Sequence, residues 1–587
     1  MVHSTPRHPS SAAARATAVL GALALTAVSA TLASPAHAAA TAATTLVVNA
    51  NAPFRTVTHV ASGSLYGLAN AGTPADSLVT PLAPNTFVQM APGGSQLPNG
   101  EPAPAGDALV VAAKARNAGA KVVVRMPDWY PNFPYKWVSW SNWLLAVDTQ
   151  VASVRASGAT NISAYELWNE PDWTWNTSSA GAFDAGWATT YREVRSKDTT
   201  TAIQGPSYSH WDLSAMRTFL TDAKAGNTVP DVIAWHELSG DQYVDGDVAA
   251  YRALEASLGI SPRPIAIEEY ATTSEVGVPG SLVGYVSKFE RAGVNNAELA
   301  FWNQYGTLGD TLTGTGGSPN GSYWLYKWYG DMTGNMVTTV PPAQTGIDGV
   351  ASVNAAGNQV SVIFGGGSGA SAVTVNGLGS LAAFGGTAHV QLQYTPSTGR
   401  TTAVAAPVTI SSADYTVVNG SITVPVTTNA VDGYHLVVTP GGSSTSLAGS
   451  YQITNVNSGL ALDTAGAGTA WGTLVDQATS SSGADQTWTL VAAGSDVYKM
   501  VNKASGLLLG ITNASSSAGA NALVWGDNGT ADHLWRLVPT SGGSYKIVNS
   551  NSGLLLGVNG MSTASGAQVL QWSDNGTADH LWRLTAR

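Results

Sequence analysis

Glu170 and Glu269 are the residues best placed to do chemistry. Each closes a short apolar run that reads as a buried strand. The first run is Ile162-Ser-Ala-Tyr-Glu-Leu-Trp-Asn-Glu-Pro171, and the second is Pro264-Ile-Ala-Ile-Glu-Glu-Tyr270. Two carboxylic acids about a hundred residues apart, each at the C-terminal end of a strand, can meet across the mouth of a (β/α)8 barrel. Such a pair is equipped to break a glycosidic bond. One acid, protonated at rest, donates to the leaving oxygen; the other, ionised, attacks the anomeric carbon. A shared cleft drives their pKa values apart. Retaining geometry holds the groups about 5–5.5 Å apart, whereas inverting geometry leaves a wider gap for water.

Neighbouring residues follow from strand-end geometry. His236 follows strand six and is expected to bond the nucleophile or the substrate. Arg125 ends strand three and is expected to keep a carboxylate ionised. Trp129, Tyr130, Trp173 and Trp175 lie on loops at the catalytic end and are candidate subsite walls. Glu166 shares the strand parity of Glu170 and reads as a hydrogen-bonded interior carboxylate. Glu268 and Glu269 are adjacent, and strand alternation aims them to opposite sides. No His-Glu-x-x-His, Walker loop or dinucleotide fingerprint occurs, so neither a metal nor a cofactor is implied.

The elements that position these residues are legible as periodicity. From about 41 to 335, eight strand-like runs alternate with amphipathic stretches, from Ser64–Leu68 and Thr86–Met90 to Ile265–Ile267 and Ala297–Trp302. That pattern predicts an α/β (TIM) barrel. Residues 336–440 change character. Runs such as Val360–Phe364, His389–Tyr394, Ser421–Val426 and Tyr434–Val438 alternate with Gly/Ser/Thr turns and predict an all-β sandwich. The early run 45–49 is a candidate extra strand for it. Pro440-Gly-Gly-Ser-Ser-Thr-Ser446 reads as a flexible linker spanning 441–449. Residues 450–587 are a threefold repeat: Ser-Gly-Leu recurs at 458, 505 and 552, and Gln486-Thr-Trp488, His533-Leu-Trp535 and His580-Leu-Trp582 recur in the same register.

Arg7 and Arg15, the Ala-rich run Ala16–Leu32 and Ala36-His37-Ala38 predict a signal peptide over 1–38. The mature chain is therefore expected to be secreted, soluble and monomeric. The 587 residues contain no cysteine, which excludes disulfides and thiol chemistry and leaves stability to packed cores. A net charge of −11, with 11% charged residues, offers nothing to nucleic acid or an anionic membrane. The 19 tryptophans and 20 tyrosines supply flat faces suited to sugar C–H faces.

Trp168-Asn169-Glu170-Pro171 resembles the Asn-Glu-Pro signature of clan A glycoside hydrolases. The resemblance implies that Glu170 is the general acid/base and that Asn169 bonds the sugar 2-hydroxyl. It also implies an aromatic platform at the end of strand eight, where Trp302 stands. Against the strand-seven pattern, Ile-Ala-Ile-Glu-Glu-Tyr fits best with Glu269 as nucleophile, although Glu268 stands where Thr or Gly is more usual. Barrel followed by sandwich, with Tyr165-Glu-Leu-Trp-Asn-Glu-Pro171 and with Gln204-Gly-Pro206 after strand five, looks most like glycoside hydrolase family 39. That likeness implies a plant-type polysaccharide or oligosaccharide substrate and β-xylosidase or arabinose-side-chain activity. The alternative is a non-catalytic, lectin-like carbohydrate-binding protein.

The repeats resemble a ricin-type β-trefoil, whose sites need an Asp early in the repeat and a later aromatic platform. Repeat one has Asp463 but Ala478. Repeats two and three have Gly510 and Gly557, followed by Trp525 and Trp572. Asp463, Trp525 and Trp572 are the candidate sugar contacts, while Trp488, Trp535 and Trp582 read as core.

Overall fold

The computed structural model describes residues 44–97, 106–441, 447–494, 497–540 and 543–587. The signal-peptide expectation at 1–38 lies outside them. Eight strands close a barrel: Gly63–Leu65, Thr86–Met90, Lys121–Arg125, Ile162–Glu166, Ala202–Tyr208, Val232–Glu237, Ile265–Tyr270 and Asn296–Leu299. All eight pairings are parallel. Helices return the chain between strands, among them Ala108–Asn117, Trp140–Ser157, Phe183–Lys197, Leu213–Ala225, Val244–Ser257 and Pro279–Ala292. Their starts are specified locally: the side chains of Asp107, Ser139 and Asp212 accept from first-turn N–H groups, satisfying donors that a helix cannot pair itself.

Three boundaries differ from the sequence reading in ways that matter for the site. Strand eight stops at Leu299, so Trp302 sits on the following loop instead of ending the strand. His236 lies within strand six and does not follow it. Gln204-Gly-Pro206 lies within strand five.

Nine strands form the second unit, in the order Val408–Thr416, Thr387–Thr395, Gly433–Pro440, Val360–Gly365, Asp348–Val353, Asn335–Val340, Thr44–Thr56, Gly369–Asn376 and Ile422–Thr428. Residues from both ends of this path, Val373 and Val424 with Val390 and Leu436, share one core, so the sheet closes on itself as a sandwich. The early run at 45–49 is part of a 13-residue strand, seventh of the nine in this path and paired on both sides.

Barrel and sandwich are joined by directed bonds. Arg291 Nη1 and Nη2 donate to both carboxylate oxygens of Asp348 at 2.8 and 2.7 Å, and Lys288 Nζ lies 3.5 Å from Asp348. Trp324 Nε1 donates to Val404 O at 2.8 Å. Gly280 and Gly321 open two helices where any Cβ would lie 2.1 Å from a sandwich-side carbonyl oxygen, of Ala430 and Pro396. Glycine is required there for the close approach.

The last unit is a β-trefoil with its own core, built on Trp488, Trp535 and Trp582. Each indole donates to a carbonyl 26 residues earlier, of Leu462, Leu509 and Leu556, at 2.9 Å. The linker expected over 441–449 is shorter among the described residues: Gly441 N bonds Thr387 O in the sandwich, and Leu447 packs on the trefoil core. Residues 442–446 lie outside the description. Among the described residues, no helix is long and apolar enough to cross a membrane.

Asp348→Ala should strip Arg291 of its bidentate partner and leave Lys288 only Asp241. The expected cost is about 3 kcal/mol, read as a shift of the first urea transition to lower denaturant. An unshifted transition would show that the ion pair does not join the two units.

Candidate active site

The carboxyl pair comes from barrel strands four and seven. Beyond strand four, Glu170 adopts a left-handed backbone (φ 51°) at the start of the short helix Pro171–Thr174. A non-glycine residue there carries a cost of about 1 kcal/mol or more. Its N–H bond to Ser207 O at 2.8 Å helps to hold the turn. The carboxylate is satisfied on both oxygens: Oε2 accepts from Trp173 Nε1 at 2.9 Å, and Oε1 lies 3.2 Å from His236 Nδ1.

Strand alternation does not separate Glu268 from Glu269. The pairing of strand seven slips on both flanks, between Trp235 and Glu237 and between Ile267 and Tyr270. A bulge re-aims a side chain, and here both carboxyls point into the barrel. Glu269 Oε1 accepts from Arg125 Nη1 at 2.7 Å and lies 3.8 Å from His236 Nε2. Glu268 is fully buried and accepts from Gln204 Nε2 at 2.6 Å. Arg125 Nε also donates to Glu166 Oε2 at 2.8 Å, so one guanidinium serves two carboxylates. One ligating atom each of Glu170, His236 and Glu269 lie within 4.8 Å of one another. Two carboxylates and an imidazole are ligand types for a cation, but Glu269 Oε1 is already taken by Arg125. That fixed positive charge suits an acid–base pair better than a metal centre.

A cavity of about 200 Å³ opens onto the pair. Arg125, Asn169, Glu170, Trp173, Glu269 and Trp302 line it, together with Leu65, Tyr66, Gln96, Phe133, Leu238 and Phe301. Asn169 is buried and its Oδ1 has no protein partner. Trp302 is anchored through Nε1 to Ala271 O at 3.1 Å. Trp129 is not among the lining residues. Tyr130 stacks on Trp143 and bonds Asn142, and Trp175 is buried among Trp168, Trp137 and Phe183. These last two are core, not subsite wall. Sequence reasoning missed the wall opposite: the Tyr66 hydroxyl sits between Asp128 Oδ2 (2.6 Å) and Gln96 Oε1 (3.1 Å), and Tyr135 OH donates to Asp128 Oδ1 at 2.9 Å. The available signal was Asp128, a carboxylate three residues past Arg125 at a strand end.

Burial sets the direction of most charges. It pushes Asp128 up to about 6 against the pull of Arg125. It also raises Glu166, Glu268 and Glu298 beneath the site. For Glu170 burial alone would do the same, but the hydrogen bond and charge of His236, with Arg125 and Trp173, hold it below its ordinary value. For His236 burial pulls downward, and the carboxylates of Glu269 and Glu170 more than reverse it.

In the trefoil, Asp463 is buried with Oδ1 unpartnered, and burial beside Asp485 and Asp476 pushes it up to about 6. A Cβ at Gly510 or Gly557 would meet the imidazole of His533 or His580 within 2.3 or 2.1 Å. Repeats two and three thus exchange the Asp/Gln pair of repeat one for Gly/His. Trp525 walls a cavity of about 230 Å³ with Asn513, Asn528, Asp532 and His533. Trp572 is exposed at the equivalent place.

Residues 436–525 and 531–587 match the family described as ricin-type beta-trefoil lectin domain-like. A 3-O-alpha-D-galactosyl-alpha-L-arabinofuranosidase of Bifidobacterium longum subsp. longum is 30% identical over 455 residues, covering 65% of this chain and 39% of that protein. A 3-O-beta-L-arabinopyranosyl-alpha-L-arabinofuranosidase of Bifidobacterium pseudocatenulatum is 28% identical over 456 residues, 65% of this chain and 46% of that one. The chain thus spans less than half the length of either relative. The solved structure of N2152 from Neocallimastix frontalis is 38% identical, with a TM-score of 0.64, over 68% of this chain and 100% of that one.

The charges of the pair have a sign that can be checked. His236 is raised, so its share of stability is full below its ordinary 6.5 and is lost as pH rises through the higher folded value. Glu170 is lowered, so its share is full above its ordinary 4.5 and is lost as pH falls through the lower folded value. His236→Asn should therefore lower the melting midpoint most near about pH 5–6, with the gap closing toward about pH 9. A gap that widens with pH would mean that the buried imidazole is not the cation.

Proposed function

The chain belongs to the same family as N2152 of Neocallimastix frontalis, and we propose that it is an exported, retaining glycoside hydrolase acting on arabinofuranosyl-linked plant oligosaccharides. One observation carries the reading: carboxylates from two different barrel strands, with ligating atoms within 4.8 Å, share one imidazole across the floor of a cavity. That separation supports double displacement, because it leaves no room for the water an inverting enzyme must seat between its acids. The names of the two Bifidobacterium relatives support the arabinofuranosyl part.

In this mechanism Glu269, held in place by its bond from Arg125, attacks the anomeric carbon, and its oxygen–carbon bond forms as the glycosidic bond breaks. The leaving oxygen takes a proton from Glu170. At rest that proton sits in the Glu170–His236 hydrogen bond, which accounts for a lowered carboxyl beside a raised imidazole. An aglycone entering beside Trp173 desolvates the bond and favours the neutral acid. Esterified Glu269 no longer carries charge. Water then gives its proton to Glu170 and its oxygen to the anomeric carbon, and the Glu269 bond breaks. Asn169, with Oδ1 free beside the pair, accepts from a sugar hydroxyl. Residues 1–38 act as the export leader. Trp525 and Trp572 bind polysaccharide in the trefoil, and Asp463, buried and lacking a platform in its own repeat, is the weakest of the three candidate contacts.

Glu170→Gln and Glu269→Gln should each cut kcat on nitrophenyl α-L-arabinofuranoside about a thousandfold. The first-formed sugar should keep the anomeric configuration of the substrate when followed by NMR. A 2-fluoro glycoside should label Glu269 in the peptide map. An inverted product would end the retaining reading, and a label on Glu268 would exchange the roles of the two neighbours.

Removing residues 442–587 should leave nitrophenyl glycoside turnover unchanged while weakening retention on insoluble arabinoxylan by at least about tenfold, the local-concentration effect of a tethered binding module. Equal retention of both forms would make the trefoil a spacer.

A further inference from the structure

We propose that the junction of the first and second trefoil repeats is a two-tryptophan platform for a saccharide chain, distinct from the single-sugar surface at the next junction. This rests on the reading of the trefoil as a polysaccharide-binding module. Trp471 stands in a loop of repeat one that is fastened to repeat two, with Gly472 N donating to Val524 O and Val524 N to Thr473 O, both at 2.9 Å. Its indole lies 5.3 Å from that of Trp525, tilted by 52°. Trp471 is 64% exposed and Trp525 37%. Two adjacent indoles turned to solvent form an apolar patch of the kind that marks a binding surface.

The pair is built at one junction. A Cβ at residue 526 would lie 2.4 Å from Trp471 Cζ2, so Gly526 is what seats the second indole. Forty-seven residues later the same loop holds Ala518 where Trp471 stands, and Ser573 replaces Gly526. The loop geometry is otherwise repeated: Gly519 N donates to Gln571 O at 2.8 Å, and a Cβ at that position would lie 3.2 Å from Trp572, against 3.3 Å from Trp525 for one at Gly472. At the third junction the corresponding positions hold Ser565, Ala478 and Thr479. The junctions therefore offer two indoles, one and none.

The occupant follows from the chemistry. Beneath Trp525 the cavity is floored by Asn513, Asn528, Asp532 and His533, donors and acceptors for hydroxyl groups. A sugar ring on Trp525 can use that floor. Trp471 offers a second face to the next ring, about one sugar along, and the tilt suits a chain whose successive rings are rotated against each other.

The test is titration calorimetry on the full chain in a Glu269→Gln background. The probes are arabinan-, xylan- and galactan-derived hexasaccharides, with arabinose, xylose and galactose for comparison. Trp471→Ala should lower the hexasaccharide-to-monosaccharide affinity ratio about fivefold, the worth of one aromatic contact. Ala518→Trp combined with Ser573→Gly should raise it. An unchanged ratio in Trp471→Ala, while Trp525→Ala weakens binding, would overturn the two-indole platform and leave the trefoil reading standing. If Trp525→Ala and Trp572→Ala also bind as the parent does, both fall together.

Discussion

A single buried guanidinium organises the barrel. Arg125 is nearly fully enclosed and divides its donors between Glu166 and Glu269. Removing such a charge from water costs several kcal/mol, which is recovered only when its geometry is satisfied from several sides. Strands three, four and seven must therefore present their ends at one height. The slipped pairing of strand seven is one consequence, because it lets Glu269 reach the guanidinium while Glu268 turns to Gln204. The acids below, Glu166, Glu268 and Glu298, have no second guanidinium among them, and burial raises all three. The barrel interior thus grades from a mouth of paired charges to a floor where burial disfavours the ionised form.

Much of this frame is legible in the sequence, and the failures are physical. Thr86–Met90 and Ile162–Glu166 are short, apolar and β-branched or aromatic, so their period announces them. The two catalytic candidates stand at strand ends, where their apolar flanks mark them. Glu268 was misplaced because alternation assumes an unbroken ladder, and a bulge is set by neighbouring strands that local sequence does not display. Trp175 and Tyr130 look like Trp173 in sequence. Only the packing of Trp168, Trp143 and Phe183 decides which indole meets solvent. Gly510 and Gly557 read as lost binding residues, whereas in space they make room for His533 and His580.

The sandwich also reaches the site. Arg400 Nη1 donates to Trp302 O at 2.9 Å and lies 3.7 Å from Asp310, whose carboxylate accepts from Trp302 N at 3.0 Å. The loop after strand eight is held from both sides, and with it one wall of the cavity. The position of Trp302 is therefore set by a residue nearly a hundred positions away, in a unit that contributes none of the lining residues.

The strand Thr44–Thr56 has a further consequence, for synthesis. It lies between Asn335–Val340 and Gly369–Asn376, so it is made ahead of the barrel and finds neither partner until about 280 more residues have followed. At ordinary elongation rates that wait is roughly 15–55 s. Throughout it, an apolar strand with both edges unpaired is open to wrong partners. The barrel strands are all made during this interval, so the sandwich closes after them. A nascent chain stalled before residue 335 would carry the strand with both of its neighbours still missing.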